Sequence, residues 1–107
     1  MALNHAIFKY SGNFDNNLKI KSDLVSICAK HHLNVLNISD HSFWPEGYTA
    51  VFLLAESHLS FHSFPEQNLA YLDLFTCSNT IDPHKVLTDL AEIMEAKIEY
   101  QALLERD

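Results

Sequence analysis

Nucleophilic and titratable side chains crowd one stretch of this sequence: Glu56, Ser57, His58, Ser60, His62, Ser63 and Glu66, then Asp73 and Cys77. Three kinds of chemistry compete for them. His58 and His62 suggest metal ligation, but four strand residues span roughly 13 Å at about 3.3 Å each. Zinc holds nitrogen ligands about 2 Å away, so one ion would need a bend in the chain and further ligands. Ser57, His62 and Asp73 supply the residue types of a hydrolytic triad. However, no glycine-flanked nucleophile elbow and no glycine-rich oxyanion loop accompany them. The plainest reading is a polar sheet face wetted by solvent, the usual place for isolated serines and histidines. Their density between strongly apolar segments weighs against it.

The elements that must position these residues follow from periodicity. Leu3 to Tyr10 reads as a strand ended by Ser11-Gly12-Asn13. From Asn16 to His32 the period changes: Ile20, Leu24, Ile27, Cys28 and His31 recur at helical spacing. Leu33 to Ser39 reads as a second strand, and residues 41–47 as a loop punctuated by Pro45 and Gly47. Tyr48 to Glu56 is the strongest strand. Its two alternate sets, Val51/Leu53/Ala55 and Ala50/Phe52/Leu54, are both apolar, so both faces of the sheet should be covered, one of them by a second subunit. Residues 59–64 and 69–77 alternate as strands, the first with His58, Ser60 and His62 on one side. Asp82 caps a second helix that starts at Pro83, with Val86, Leu87, Leu90, Ile93 and Met94 as its buried stripe. Residues 98–104 fit either a continuation of that helix or a last strand. The order predicts an α+β fold: a two-layer sandwich with a mostly antiparallel sheet and two helices on one face.

Composition bounds the rest. The chain has 107 residues, 48% hydrophobic and 20% charged, enough for a single domain. Fourteen acids against seven bases leave a net charge of −7, which excludes nucleic acid as the expected partner because phosphate binding needs clustered Lys and Arg. The longest apolar run, Ala50 to Ala55, is too short for a bilayer. The start, Met1 to His5, lacks a signal-peptide pattern. Cys28 and Cys77 read as free thiols, and together these features give a cytoplasmic expectation with no membrane association.

The string from Leu54 to Glu66, LAESHLSFHSFPE, followed by Asp73-Leu74-Phe75-Thr76-Cys77, resembles the prokaryotic S-adenosylmethionine decarboxylase proenzyme family. That family carries an ESHxSxHTWPE-like segment and then a DxFTCG-like one. Phe43 to Val51 is similar to its FxPxGxS/TxV stretch, and with the flanking helices the likeness covers most of the chain. The resemblance implies a pyruvoyl-dependent decarboxylase that serves polyamine (spermidine) biosynthesis and makes its cofactor from its own backbone. Self-cleavage between Glu56 and Ser57 would yield a β chain, 1–56, and an α chain, 57–107, with the pyruvoyl group derived from Ser57 and no metal. By the same likeness, His62 removes the Ser57 α-proton during processing, and Thr49 assists. Cys77 is the general acid of turnover, in which the substrate amine joins the pyruvoyl carbonyl as a Schiff base. Serine suits position 57 because its hydroxyl is first nucleophile and then, once esterified, leaving group. Phe43 and Phe64 match rings beside the adenine, and Glu66 a carboxylate for the ribose. The active unit is expected to be a homodimer of cleaved protomers with active sites near the subunit interface.

This sequence departs from the pattern at Phe64 for tryptophan, Ser63 for threonine, Ser78 for glycine and Lys9 for an acid. His5 keeps a family histidine position. The processing residues survive better than the nucleoside-binding ones. Ornithine or arginine is therefore the alternative substrate, and a non-catalytic, ligand-binding paralogue the alternative from another class.

Overall fold

A computed structural model describes residues 3–106, so Met1, Ala2 and Asp107, at the outer ends of the two expected fragments, lie outside the described residues. Six strands and two α-helices follow one another along the described residues: β1 (Asn4–Ser11), α1 (Asn17–Lys30), β2 (Val35–Ser42), β3 (Tyr48–Leu54), β4 (Ser57–Phe64), β5 (Leu69–Thr76), α2 (Pro83–Ile93) and β6 (Lys97–Glu105). The strands form one sheet in the order β2-β3-β4-β5-β1-β6, with every neighbouring pair antiparallel. The expected α+β sandwich is the architecture found.

Local chemistry sets the helix starts. The Asn16 side chain accepts from the Lys19 N–H at 3.0 Å, and Asp82 accepts from the Lys85 N–H at 3.1 Å, each satisfying a donor that the first turn leaves orphaned. Both helices cover the same sheet face. Ile20, Leu24 and Ile27 of α1 join Val86, Leu87 and Leu90 of α2 over Ala6, Phe8, Tyr10, Phe52, Leu59, Phe61, Leu72 and Leu74, all buried. The Tyr10 hydroxyl crosses this layer to donate to the Leu87 carbonyl.

Some boundaries differ from expectation, and one open choice, at the C-terminal end, is decided. β2 runs on to Ser42, so His41 and Ser42 pair with Thr49 and Tyr48 instead of lying in a loop. The strand expected to end at Glu56 stops at Leu54, because residues 55 and 56 turn the chain into β4. β4 opens at Ser57, two residues earlier than the alternation indicated. Residues 97–105 form a strand that pairs along β1. A β-bulge between Lys9 and Tyr10 shifts that register, and such a shift blurs a period-2 signal.

The outer face of the sheet carries no layer from this chain among the described residues. Val51 and Leu53 are 41% and 51% exposed there; this is the apolar set of β3 for which the sequence predicts cover from a second subunit.

Candidate functional site

Antiparallel pairing of β3 and β4 places Leu54 opposite Ser57, leaving Ala55 and Glu56 as a two-residue turn. Glu56 has φ 62°, in the left-handed region, where a residue with a Cβ is disfavoured by roughly 1–2 kcal/mol. The bond after Glu56 thus sits at a tight, locally strained corner. Ser57 opens β4, and its Oγ donates to Thr76 Oγ1 at 3.3 Å across the β4–β5 pair. Thr76 is fully buried, and its hydroxyl oxygen also accepts from the Ser78 N–H at 3.0 Å. A cavity of about 180 Å³ adjoins this point, lined by Ser57, Thr76, Ser78, Thr80 and Asn34 among others. Cys77, half-buried, lies one residue beyond Thr76 at the same end of the sheet. Cys28 is buried on α1, and burial pushes its thiol up to about 11.

The period of β4 separates the remaining residues. Ser57, Leu59, Phe61 and Ser63 turn to the helix side, while His58, Ser60 and His62 stand on the outer face. Ser63 is a structural hydroxyl: it accepts from the Tyr48 N–H at 2.9 Å and is buried. At this far end of β4, His62 Nδ1 meets Thr49 Oγ1 at 3.1 Å across the β3–β4 pair. Beside them, Phe43, Gly47, Thr49, Phe64 and Glu66 line one cavity of about 340 Å³. Gly47, at φ 111°, lets the 43–47 turn close with a 2.9 Å bond from the Phe43 N–H to the Gly47 carbonyl. Phe43 and Phe64 are both about half exposed, each meeting a neighbouring ring at a steep angle, His41 and Tyr71 respectively.

The residues singled out from sequence therefore form two groups. Glu56, Ser57 and Cys77 gather at one end of β4. Thr49, His62, Phe43, Phe64 and Glu66 gather at the other. Five residues along a strand amount to roughly 16 Å, and Ser57 and His62 also occupy opposite faces, so one protomer does not bring them together.

A third cluster escaped sequence reasoning. On the outer face, Asp73 Oδ2 lies 2.7 Å from His5 Nε2 and 3.0 Å from His58 Nε2, and Asp73 Oδ1 accepts from the Ser60 hydroxyl. Partial burial works to raise the Asp73 carboxyl, but the hydrogen bonds from Ser60, His5 and His58 outweigh it and hold the group below the ordinary carboxylate range. His58 and Asp73 stood out in the sequence as reactive residues. His5 did not join them, because it reaches them only through the β1–β5 pairing. Thr76, the partner of Ser57, was missed for the same reason: only the strand register places it there.

This two-layer fold has known counterparts. A family model described as S-adenosylmethionine decarboxylase matches residues 9–107. The chain belongs to the S-adenosylmethionine decarboxylase family. It is 36% identical over 83 residues to the S-adenosylmethionine decarboxylase proenzyme of Thermosipho africanus (strain TCF52B), a match covering 78% of this chain and 64% of that protein. It is 44% identical over 72 residues to S-adenosylmethionine decarboxylase proenzyme 2 of Bacillus cereus (strain ATCC 14579), covering 67% of this chain and 58% of that protein. The matches thus span somewhat under two thirds of these relatives. The crystal structure of the adenosylmethionine decarboxylase from Aquifex aeolicus VF5 superposes with a TM-score of 0.82 at 22% identity, covering 98% of this chain and 88% of that one. That likeness establishes the fold. No helix among the described residues is long and apolar enough to cross a membrane.

Proposed function

We propose that this chain is a self-cleaving, pyruvoyl-dependent decarboxylase of S-adenosylmethionine, a cytoplasmic enzyme supplying aminopropyl groups for polyamine synthesis. The observation that carries the reading is Ser57, set immediately after a left-handed Glu56 and with its hydroxyl held by buried Thr76. Attack of Ser57 Oγ on the Glu56 carbonyl carbon breaks the peptide C–N bond, forms an ester and frees the Ser57 amine. Removal of the Ser57 α-proton then expels the Glu56 carboxylate and leaves dehydroalanine. Its imine tautomer takes up water and releases ammonia, so residue 57 ends as a pyruvoyl group on His58. Residues 1–56 and 57–107 become the two chains. When formed, that group supplies a carbonyl that accepts the electron pair left by departing CO2. The site suits it, since a serine hydroxyl can serve first as nucleophile and then as leaving group and residue 57 already borders an open cavity of about 180 Å³.

The chain's other residues then have tasks. Thr49 holds His62 at 3.1 Å, and His62 takes the α-proton, a role suited to imidazole. Cys77, at the Ser57 end, donates a proton to the product carbon. Phe43 and Phe64 offer their faces to the nucleobase and the sulfonium, with Glu66 accepting from the ribose hydroxyls. His62 and Ser57 lie roughly 16 Å apart along β4, so this reading requires a homodimer in which His62 of one protomer serves Ser57 of the other. The bare outer face, with Val51 and Leu53 exposed, is the surface for that pairing, and residue 57, whose hydroxyl starts on the helix side, has to turn toward it once the peptide bond before it has become an ester.

Denaturing intact mass spectrometry tests the first claim: two fragments divided before Ser57 support it, and a single full-length chain after prolonged incubation overturns it in favour of a non-catalytic paralogue. Release of CO2 from S-adenosylmethionine, ornithine and arginine then tests the second. Turnover of a free amino acid alone would replace the substrate and leave the cofactor.

A further inference from the structure

We propose that His5, Asp73 and His58 form a binding site for one divalent transition-metal ion of the Zn2+ type. The site is independent of whether the chain cleaves. Its three ligands come from three adjacent strands, with the order β4-β5-β1 placing Asp73 in the middle. His5 and His58 both pair with Phe75 in register, one from each side of β5, and Asp73 is the next residue of β5 on the same face. A sheet presents such donors on a rigid platform instead of a mobile loop.

The distances are close to those an ion needs. Zinc ligated at about 2.0–2.1 Å in a tetrahedron sets its ligand atoms roughly 3.3 Å apart. Here the two imidazole nitrogens lie 2.7 and 3.0 Å from Asp73 Oδ2, and the candidate ligand atoms all fall within 4.8 Å of one another. Small side-chain rotations suffice to open the centre. Asp73 already has the supporting contact that metal-binding carboxylates use to fix their orientation, since its other oxygen accepts from Ser60. The side chains of His5 and Asp73 are only 14% and 23% exposed. Two imidazoles and one carboxylate favour zinc, cobalt, nickel or iron over magnesium or calcium, which prefer all-oxygen shells. An adjoining cavity of about 360 Å³, lined by Leu3, His5, His58, Phe75 and Arg106, leaves room for water to complete the coordination.

Arg106 marks the cost of binding. Its Nη1 lies 3.3 Å from His5 Nδ1, and because arginine only donates, that nitrogen is the acceptor and the His5 proton resides on Nε2, facing Asp73. A metal at Nε2 needs the lone pair there, so the proton must move to Nδ1 and the contact with Arg106 must break. Arg106 is exposed at the end of the described chain and is free to swing away. Removing it should therefore tighten metal binding.

The test is calorimetric titration of ZnCl2 into the purified protein after dialysis against EDTA. The expected result is one Zn2+ per chain with a Kd in the micromolar range or below. His5→Ala and Asp73→Asn should each weaken it at least tenfold, Ser60→Ala by a smaller factor, and Arg106→Ala should strengthen it. Absence of binding up to millimolar Zn2+, or equal affinity in His5→Ala, overturns the proposal. A measurement on the unaltered chain guards against variants that misfold: Zn2+ should shield His5 and His58 from diethyl pyrocarbonate while exposed His41 still reacts. Equal modification of all three with and without Zn2+ also overturns it.

Discussion

Thr76 offers a way to separate what a hydroxyl does for Ser57 from what a buried side chain does for the fold. Thr76→Val keeps the volume and removes the hydroxyl oxygen that accepts from Ser57 at 3.3 Å and from the Ser78 N–H at 3.0 Å. Losing two such bonds, each with a net worth of about 0.5–1.5 kcal/mol, should cost about 1–3 kcal/mol of stability. Thr76→Ser keeps the hydroxyl and deletes one fully buried methyl, which costs about 1 kcal/mol in lost transfer energy and residual space. The two variants should therefore unfold at comparable urea concentrations, measured on freshly purified, uncleaved chain. Self-cleavage should divide them. Without its acceptor, the Ser57 side chain samples three staggered wells instead of one, so its productive population falls about threefold, and the time course of fragment appearance by intact mass should slow at least that much. Thr76→Ser should cleave near the unaltered rate. If Thr76→Val matches or exceeds the unaltered rate, or if Thr76→Ser is equally slow, Thr76 does not hold the nucleophile in place.

Ser57→Ala should abolish cleavage while changing stability by less than about 1 kcal/mol, because the bond it removes is a long one; intact mass and urea unfolding read the two effects. Mixing Ser57→Ala and His62→Ala chains after joint refolding should restore cleavage of the His62→Ala chain, because the mixed dimer pairs an intact Ser57 with an intact His62. Failure to restore any cleavage, with dimers present, counts against a shared site. Glu66→Gln should raise KM for S-adenosylmethionine with little loss of kcat, as expected for a group that grips the substrate away from the reacting carbon; a kcat loss at constant KM contradicts that placement. Asp73 carries an acid-side dependence: its folded pKa is depressed, so its contribution to stability is present above the unfolded value of about 3.9 and is lost as pH falls through the lower folded value. The stability difference between the unaltered chain and Asp73→Asn should accordingly shrink below pH 4, and a gap that widens there would reverse the assignment.

Legibility in the sequence followed the range of the interactions. The helix at Pro83 was readable because a cap, a proline and an apolar stripe all lie within one short segment, and the structure keeps Asp82 on the Lys85 N–H. The outward set His58, Ser60 and His62 was readable because a strand's period is two. Residues 97–105 could not be assigned from periodicity alone. Their strand form depends on pairing with β1, about ninety residues earlier in the chain, across a bulge. The site divides in the same way. Phe43, Phe64 and Glu66 were each taken from motif positions, and the fold places them around one cavity. The Ser57–Thr76 and His5–Asp73–His58 contacts depend on strand register, which no local window contains.

The alternation along β4 bears on the function as much as on the fold. A strand that must bury Leu59 and Phe61 under the helices has no choice but to point His58, Ser60 and His62 the other way, and the same geometry turns Ser57 to the helix side of the sheet. A nucleophile and a base five residues apart on one straight strand therefore cannot meet without help from outside the protomer. A bulge between them would put both on one face but still leave them roughly 16 Å apart, so local irregularity is no remedy. On the proposed reading a second copy supplies the base from the sheet face this chain leaves bare, where Val51 and Leu53 are exposed, and residue 57 has to turn from the helix side at the β3–β4 corner to meet it. The apolar outer set of β3 and the position of His62 thus converge on one requirement. Truncating Val51 and Leu53 together to alanine should impair dimerisation and cleavage in parallel. A variant that lost the dimer in sedimentation velocity but still cleaved at the unaltered rate would show that Ser57 needs no partner.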